Sequence, residues 1–173
     1  MRRPLLYTLV AVVGLGIGVA LTVFEPWRAF TNTTVEESLP SAAPAPEKST
    51  GTASATTTVL ARGKLISHEH ETSGTVAILR LPDDSRVLRL ENLDTSDGPD
   101  LRVWLTDAPV IEGTAGWTVF DDGKYTELGA LKGNKGSQNY PLPADVDLET
   151  LTSVSIWCAR FHVSFGAAEL SVA

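Results

Sequence analysis

Apolar and polar residues alternate in short runs over most of the chain between residues 59 and 173. In Arg86–Leu93, Leu88 and Leu90 fall on one face of an extended segment, and Val87 and Arg89 fall on the other. A period of two is typical of a β-strand with one face buried. The same alternation between turn residues predicts strands at Val59–Ser67, Gly74–Leu81, Arg86–Leu93, Leu101–Leu105, Tyr125–Leu128, Asn139–Leu142, Ser153–Ala159 and Val163–Val172.

These predicted strands are short and follow one another at regular intervals. Apolar spacings of three and four are absent from this region, apart from a turn near Val146–Leu151. The pattern therefore predicts an all-β domain over residues 59–173, an antiparallel β-sandwich or barrel.

The N-terminus has a different pattern, because Leu5–Phe24 is an uncharged, mostly apolar run of 20 residues. As a helix such a run spans about 30 Å, the thickness of a bilayer core. Arg2 and Arg3 precede it and Glu25 follows it. We therefore expect a single transmembrane anchor, with residues 1–4 in the cytoplasm and the C-terminal domain outside it. A cleaved signal peptide, giving a secreted form, is the alternative, although no Ala-x-Ala follows closely after the run.

Residues 25–58 are rich in Thr, Ser, Ala and Pro, which predicts a flexible linker. The formal charge of the chain is −7, and all of this excess lies in residues 59–173. An acidic domain argues against nucleic acid as a partner. A basic protein or cations are compatible with it.

Cys158 is the only cysteine, so an intramolecular disulfide is impossible. On a strand it shares a face with Val154 and Ile156, which favours apolar packing. A redox thiol, a cofactor ligand and an intermolecular bridge are the other interpretations. In a continuous strand His162 would lie ~13 Å from Cys158, and a tight bend would bring the two together.

His68 and His70 are two residues apart, so on a strand both imidazoles face one side and can bind a copper or zinc ion. The alternative is a solvated strand end, because Glu69 and Glu71 flank them. Asp94, Asp97 and Asp100 offer hard oxygen ligands for calcium, although their spacing differs from an EF-hand and fits a turn.

The sequence excludes some kinds of haem site. It has no Cys-x-x-Cys-His motif for covalent attachment, and its only methionine is Met1. Haem ligation by two histidines, or by cysteine and histidine, stays open. No serine lies in Gly-x-Ser-x-Gly, which argues against an α/β-hydrolase.

The segments VLRLENLDTSDGPDLRVWL and LGALKGNKGSQNYPLPADVDLETLTSVSIWCARFHVSFGAAEL closely resemble the DM13 domain, with the match running from about Gly63 to Leu170. The resemblance implies a β-rich fold and a redox or electron-transfer role, through a bare thiol or a bound prosthetic group. Cys158 falls on the family's cysteine in its W-C-x-R/K-F setting. If this role applies, His162, His68 or His70 would be the nearest candidates to complete the site, and Trp157 and Phe161 would shield it from water.

Two functions follow as hypotheses. One is an electron-transfer module that uses Cys158 as thiol or ligand, with haem, a copper-type metal or no cofactor, and an extracytoplasmic redox partner. The other is a non-catalytic module that binds an envelope protein or glycan, with Cys158 in the core and Asp94–Asp100 on the working surface. Either is a better match to the sequence than an enzyme.

Overall fold

A computed structural model of the chain describes residues 2–25, 27, 31–40 and 56–173. It has one α-helix, α1 (Arg2–Phe24), within this part of the chain. The strands are β1 (Thr34–Glu36), β2 (Thr58–Lys64), β3 (Ile66–Ser67), β4 (Ser73–Arg80), β5 (Arg86–Asp94), β6 (Leu101–Thr106), β7 (Tyr125–Ala130), β8 (Lys135–Leu142), β9 (Ser153–Cys158), β10 (Val163–Glu169) and β11 (Ser171–Val172).

Helix α1 contains the segment that the sequence predicts to cross a membrane. Among the residues that the structure describes, no helix has both the length and the apolar character that a membrane crossing requires. The predicted transmembrane span is therefore not supported by the structure.

The strands form two sheets that face each other, so the predicted β-sandwich is confirmed. Sheet A has the order β1-β8-β5-β4-β2-β11, and sheet B has the order β3-β10-β9-β6-β7. The paired strands are antiparallel, except that β1 runs parallel to β8.

The main core lies between the sheets. Leu88 and Leu90 of β5 have no exposed surface, and neither do Val154 and Ile156 of β9. Leu88 and Leu90 thus point to the core as predicted, whereas a register shift after Leu90 leaves Asn92 exposed and places Leu93 in the core. Fully burying one such side chain contributes about 1.5–3 kcal/mol.

Strand β9 is buried on both of its faces. Its outer face belongs to a second, smaller apolar cluster, formed by Trp104, Ala108, Phe120, Trp157 and Ala167. Two of these residues, Ala108 and Phe120, come from residues 107–124, which we call the covering loop. This loop carries a short 3-10 helix at Thr114–Gly116. Sheet B is therefore enclosed by sheet A on one side and by the covering loop on the other.

Strand β1 belongs to the segment that the sequence assigns to a flexible linker. Its backbone pairs with Lys135–Ser137 of β8. The Glu37 carboxylate accepts hydrogen bonds from Lys132 Nζ at 2.7 Å and from the Asn139 amide at 2.7 Å. The bond from Lys132 is the main cause that lowers the pKa of Glu37. Backbone pairing and polar contacts hold β1, so apolar periodicity gives no signal for it. Residues 41–55 of the predicted linker lie outside the described residues.

A substitution at Gly133 tests how β1 is held against β8. A Cβ added at Gly133 would lie 2.5 Å from the Thr33 carbonyl oxygen. We expect Gly133→Ala to shift β1 and to speed hydrogen exchange at the Glu37 and Lys135 amides, which bond across this edge. A roughly tenfold faster exchange corresponds to ~1.4 kcal/mol of local opening free energy. Hydrogen exchange with mass spectrometry measures it. The matched control is Gly14→Ala, where nothing lies within 4 Å of the new Cβ. Unchanged exchange in Gly133→Ala would show that β1 does not depend on this close approach.

Candidate functional site

The β9–β10 hairpin determines where the predicted site residues lie. Its four-residue connection, residues 159–162, reverses the chain, so Val163 pairs with Cys158. The bend depends on His162, which adopts the left-handed conformation with φ of 54°. The tight bend that the sequence analysis considered is therefore present.

Cys158 points to the core between the sheets and has no exposed surface. Burial raises the pKa of its thiol, and backbone hydrogen bonds from Phe161 and Arg160 offset this only in part. The thiol is therefore neutral at physiological pH. The thiolate is the nucleophile and the metal ligand, so this environment disfavours the reactive form of Cys158. Its surroundings are those of a small apolar core residue.

Trp157 points to the opposite face of β9 and lies in the outer cluster. Phe161 lies in the hairpin and is 44% exposed. The Trp157 ring therefore does not cover the Cys158 sulfur in the way the sequence analysis expected. The reason is the period of two along a strand, which places neighbouring side chains on opposite faces.

His162 lies on the Trp157 side of sheet B. Its Nδ1 is 2.9 Å from a carboxylate oxygen of Asp121, and its ring stands edge-on to Trp157 with centroids 6.4 Å apart. The imidazole is mostly exposed. The bend thus brings His162 to Trp157 and not to the thiol of Cys158.

His68 is buried, and both of its ring nitrogens have partners. Nε2 donates to the Ile111 carbonyl at 3.1 Å, because a carbonyl only accepts. Nδ1 therefore accepts from the Ser164 hydroxyl at 2.9 Å. Ser164 in turn accepts from Ser155 at 3.0 Å. Burial lowers the pKa of His68, and the bond to Ile111 opposes this effect. The imidazole is a neutral bridge that ties the covering loop to sheet B.

His70 has different neighbours. Its ring packs against Phe165 with centroids 3.9 Å apart, and its Nε2 lies 3.6 Å from Glu69. Strand β3 ends at Ser67, so the alternation needed to align His68 with His70 does not continue. The structure does not bring the two imidazoles to one ion.

The donors available for a metal are accordingly few. Within the described ranges, no group of three or more His, Cys, Asp or Glu side chains is placed to hold a metal ion. Cys158 faces the packed core and His162 the outer face, so the side chains around the cysteine do not fit haem or a copper ion.

The three aspartates proposed for calcium each have another partner. Asp94 pairs with Lys135, and Asp97 accepts a hydrogen bond from the Gly98 amide at 2.8 Å. Asp100 accepts from Arg102 at 2.6 Å. These contacts fit the turn interpretation of Asp94–Asp100.

Three aromatic residues on the outer face of sheet B form a continuous stack, which we call the aromatic stack. Tyr125 lies parallel to Trp104, with an interplanar angle of 5° and centroids 4.0 Å apart. Trp104 stacks on Trp157 with centroids 5.1 Å apart. The exposed fractions of Tyr125, Trp104 and Trp157 are 47%, 6% and 0%. The stack therefore runs from the surface into the fold.

The sequence analysis did not single out Trp104 or Tyr125 as functional residues. A signal for Trp104 exists, since the alternation of Leu101–Leu105 places it opposite the core face. Tyr125 begins a predicted strand, but its contact with Trp104 depends on β6 pairing with β7. Strand pairing cannot be deduced from periodicity alone.

The neutral state of buried His68 makes stability depend on pH. Unfolded His68 binds a proton near its ordinary pKa of 6.5, whereas folded His68 resists it because its pKa is lowered. The free energy of unfolding should therefore fall as the pH drops below about 6.5. We expect His68→Gln to lose about 1–3 kcal/mol at neutral pH and to lack this slope. Denaturant unfolding at several pH values measures both.

The control for this prediction is His162→Gln, which removes an exposed histidine. It should retain the slope of the unmodified protein. An equal acid slope in His68→Gln would contradict the assignment of this pH dependence to His68.

Comparison with known proteins places this geometry in a family. The family model described as Electron transfer DM13 matches residues 64–170. No curated protein and no solved structure matches the chain. The matched segment covers more than half of the 173 residues and includes β3 to β10, with Cys158 and the aromatic stack. The chain belongs to the DM13 family.

Proposed function

We propose that this chain is an electron-transfer module that moves single electrons through the aromatic stack. The observation that carries the proposal is the unbroken ring contact from exposed Tyr125 through Trp104 to fully buried Trp157. Indole and phenol are the protein side chains most readily oxidised by one electron without a cofactor. Because rings in contact share orbital overlap, an electron vacancy can pass from one to the next.

The stack reaches the surface at Tyr125, and its buried end lies next to an exposed side chain. Tyr125 is half exposed at one end. At the other end, exposed His162 stands against Trp157. A donor and an acceptor can therefore contact different parts of the surface while the step between them occurs inside the fold. The redox partner proposed here is an extracytoplasmic protein that exchanges one electron.

In this proposal Cys158 packs on the inner face of β9, opposite the aromatic stack, and exchanges no electrons. Its thiol is buried and neutral, and the chain has no second cysteine to form a disulfide with it. The family resemblance implies a redox role for Cys158, and this proposal replaces that role with packing in the core on the inner face of β9.

The electron-transfer step can be tested with a ruthenium polypyridyl photo-oxidant bound to His162 through Nε2. His70→Gln serves as the background, because His70 is also partly exposed. We expect the flash-generated Ru(III) to be reduced to Ru(II) while a tyrosyl radical forms at Tyr125. Replacing Trp104 with Phe should slow this radical roughly tenfold or more, about 1.4 kcal/mol in barrier. Transient absorption measures the rate.

Two matched controls accompany this test. Trp117→Phe removes a tryptophan outside the stack, and Cys158→Ala removes the thiol. Neither should change the rate in the folded protein. An unchanged rate in Trp104→Phe would overturn the stack as the conduit. A lost signal in folded Cys158→Ala would restore the cysteine as the redox group.

The proposal also includes a membrane anchor at residues 5–24. The uncharged run of 20 residues and the two arginines that precede it support this part. We expect the full chain to resist extraction from membranes by alkaline carbonate, and a chain that begins at residue 25 to be released. Release of both would contradict the anchor. The mass of the mature chain would then identify a cleaved secreted form.

A further inference from the structure

We infer that Glu127 accepts the indole proton of Trp104 when Trp104 loses an electron, and that it thereby holds the oxidising equivalent on Trp104 in preference to Trp157 until Tyr125 is oxidised. The inference rests on the proposed function, because it concerns the same aromatic stack. It assigns different tasks to the two tryptophans, whose rings are similar but whose indole nitrogens lie in different surroundings.

The contact that carries the inference joins β6 to β7. Trp104 lies directly opposite Glu127, and its Nε1 donates to Glu127 Oε2 at 3.4 Å. The other carboxylate oxygen, Oε1, accepts from Arg102 Nη1 at 2.7 Å. Arg102 is itself held by Asp100 at 2.6 Å. The guanidinium thus holds one oxygen of Glu127 and leaves the other directed at the indole.

A β-bulge creates this pairing. Val103 pairs with Gly129, whereas the next residue, Trp104, pairs with Glu127, so Leu128 is the extra residue on β7. Gly129 has a φ of 128°, which a side chain would strain. In a regular ladder Leu128 would lie opposite Trp104. The bulge replaces that apolar neighbour with a carboxylate, and bulges are known to re-aim side chains next to functional sites.

The indole nitrogen of Trp157 has different surroundings from that of Trp104. Trp157 is fully buried, and within the described residues its Nε1 has no hydrogen-bond partner. Buried N–H groups are usually paired, so this one needs an explanation. An oxidised Trp157 has no base beside its nitrogen and stays a radical cation. Trp104 has a base, so the vacancy gains stability when it moves from Trp157 to Trp104.

In this step Trp104 gives up one electron and one proton. One electron leaves Trp104 for a one-electron acceptor, which is reduced, and the Nε1–H bond breaks. The proton forms an O–H bond with Glu127 Oε2 and leaves a neutral indole radical. When the exposed Tyr125 supplies an electron to this radical, its phenolic proton goes to water and the Glu127 proton returns to Nε1. The cycle leaves Trp104 and Glu127 unchanged.

The full chain carrying the ruthenium photo-oxidant on His162, again with His70→Gln, tests this inference. Tyr125→Phe is added so that the Trp104 radical persists. With Glu127 present, we expect the visible spectrum of a neutral indole radical and slower formation in D₂O. In Glu127→Gln we expect the spectrum of the radical cation, no isotope effect and a radical lifetime roughly tenfold shorter, about 1.4 kcal/mol.

Two further variants separate proton transfer from a structural role. Glu91→Gln is the matched control, since Glu91 is a strand carboxylate of similar exposure that also pairs with an arginine. It should leave the radical unchanged. Arg102→Gln breaks the ion pair but keeps the Glu127 carboxylate, so the neutral radical and the isotope effect should remain.

The outcomes also distinguish the inference from the proposal on which it rests. A neutral radical with an isotope effect in Glu127→Gln would overturn the role of Glu127 and leave the conduit intact. Loss of both signatures in Arg102→Gln would also overturn it, because the ion pair alone would then explain them. If no indole radical forms in the presence of Glu127, or if a neutral radical with the isotope effect forms equally in Trp104→Phe, the conduit through Trp104 itself fails.

Discussion

The two-sided burial of β9 is the constraint on which the rest of the structure depends. Its inner face meets sheet A through Val154, Ile156 and Cys158. Its outer face carries Trp157 and serines, which would face water in a simple sandwich. The covering loop encloses this face, and every buried polar group there needs a partner. Ser153 donates to the Ala108 carbonyl at 2.7 Å. The hydrogen bonds of this face therefore determine how the loop is held.

This arrangement separates the thiol from the aromatic chemistry. Cys158 and Trp157 are neighbours in sequence, but the pleat directs them to opposite sides of sheet B. The thiol lies in a dry core that disfavours its charged form. The ring lies in a cluster that reaches the surface through Trp104 and Tyr125. A single strand thus carries a buried thiol on one face and a member of the aromatic stack on the other.

Sequence periodicity was sufficient for most of the fold, because the strands of the sandwich alternate cleanly. The positions of Leu88 and Leu90 on the core face follow from the pattern alone. Strand β1 could not be predicted this way, since its pairing with β8 depends on backbone hydrogen bonds and on the contacts of Glu37. Three residues without an apolar face give no periodic signal.

The site was harder to predict than the fold. Cysteine and histidine are the usual ligands, and their spacing in this sequence leaves the metal hypotheses open. Those hypotheses depend on which face of β9 each side chain occupies and on where β3 ends, at Ser67. Both are features of the tertiary structure. The importance of Trp104 depends on the pairing of β6 with β7 and on a bulge that adds one residue. A shift of one residue in register reverses which side chain lies opposite.

The charge of the domain fits one-electron oxidation of the stack. Residues 59–173 carry all of the net charge of −7, so a positive charge created inside them is stabilised by the surrounding field. That long-range effect acts on Trp157 and Trp104 alike and cannot choose between them. The choice requires a local difference, and the two indole nitrogens supply it: one has no hydrogen-bond partner and the other faces a carboxylate. The overall charge thus favours the vacancy, and in the proposed mechanism a single hydrogen bond decides which of the two tryptophans carries it.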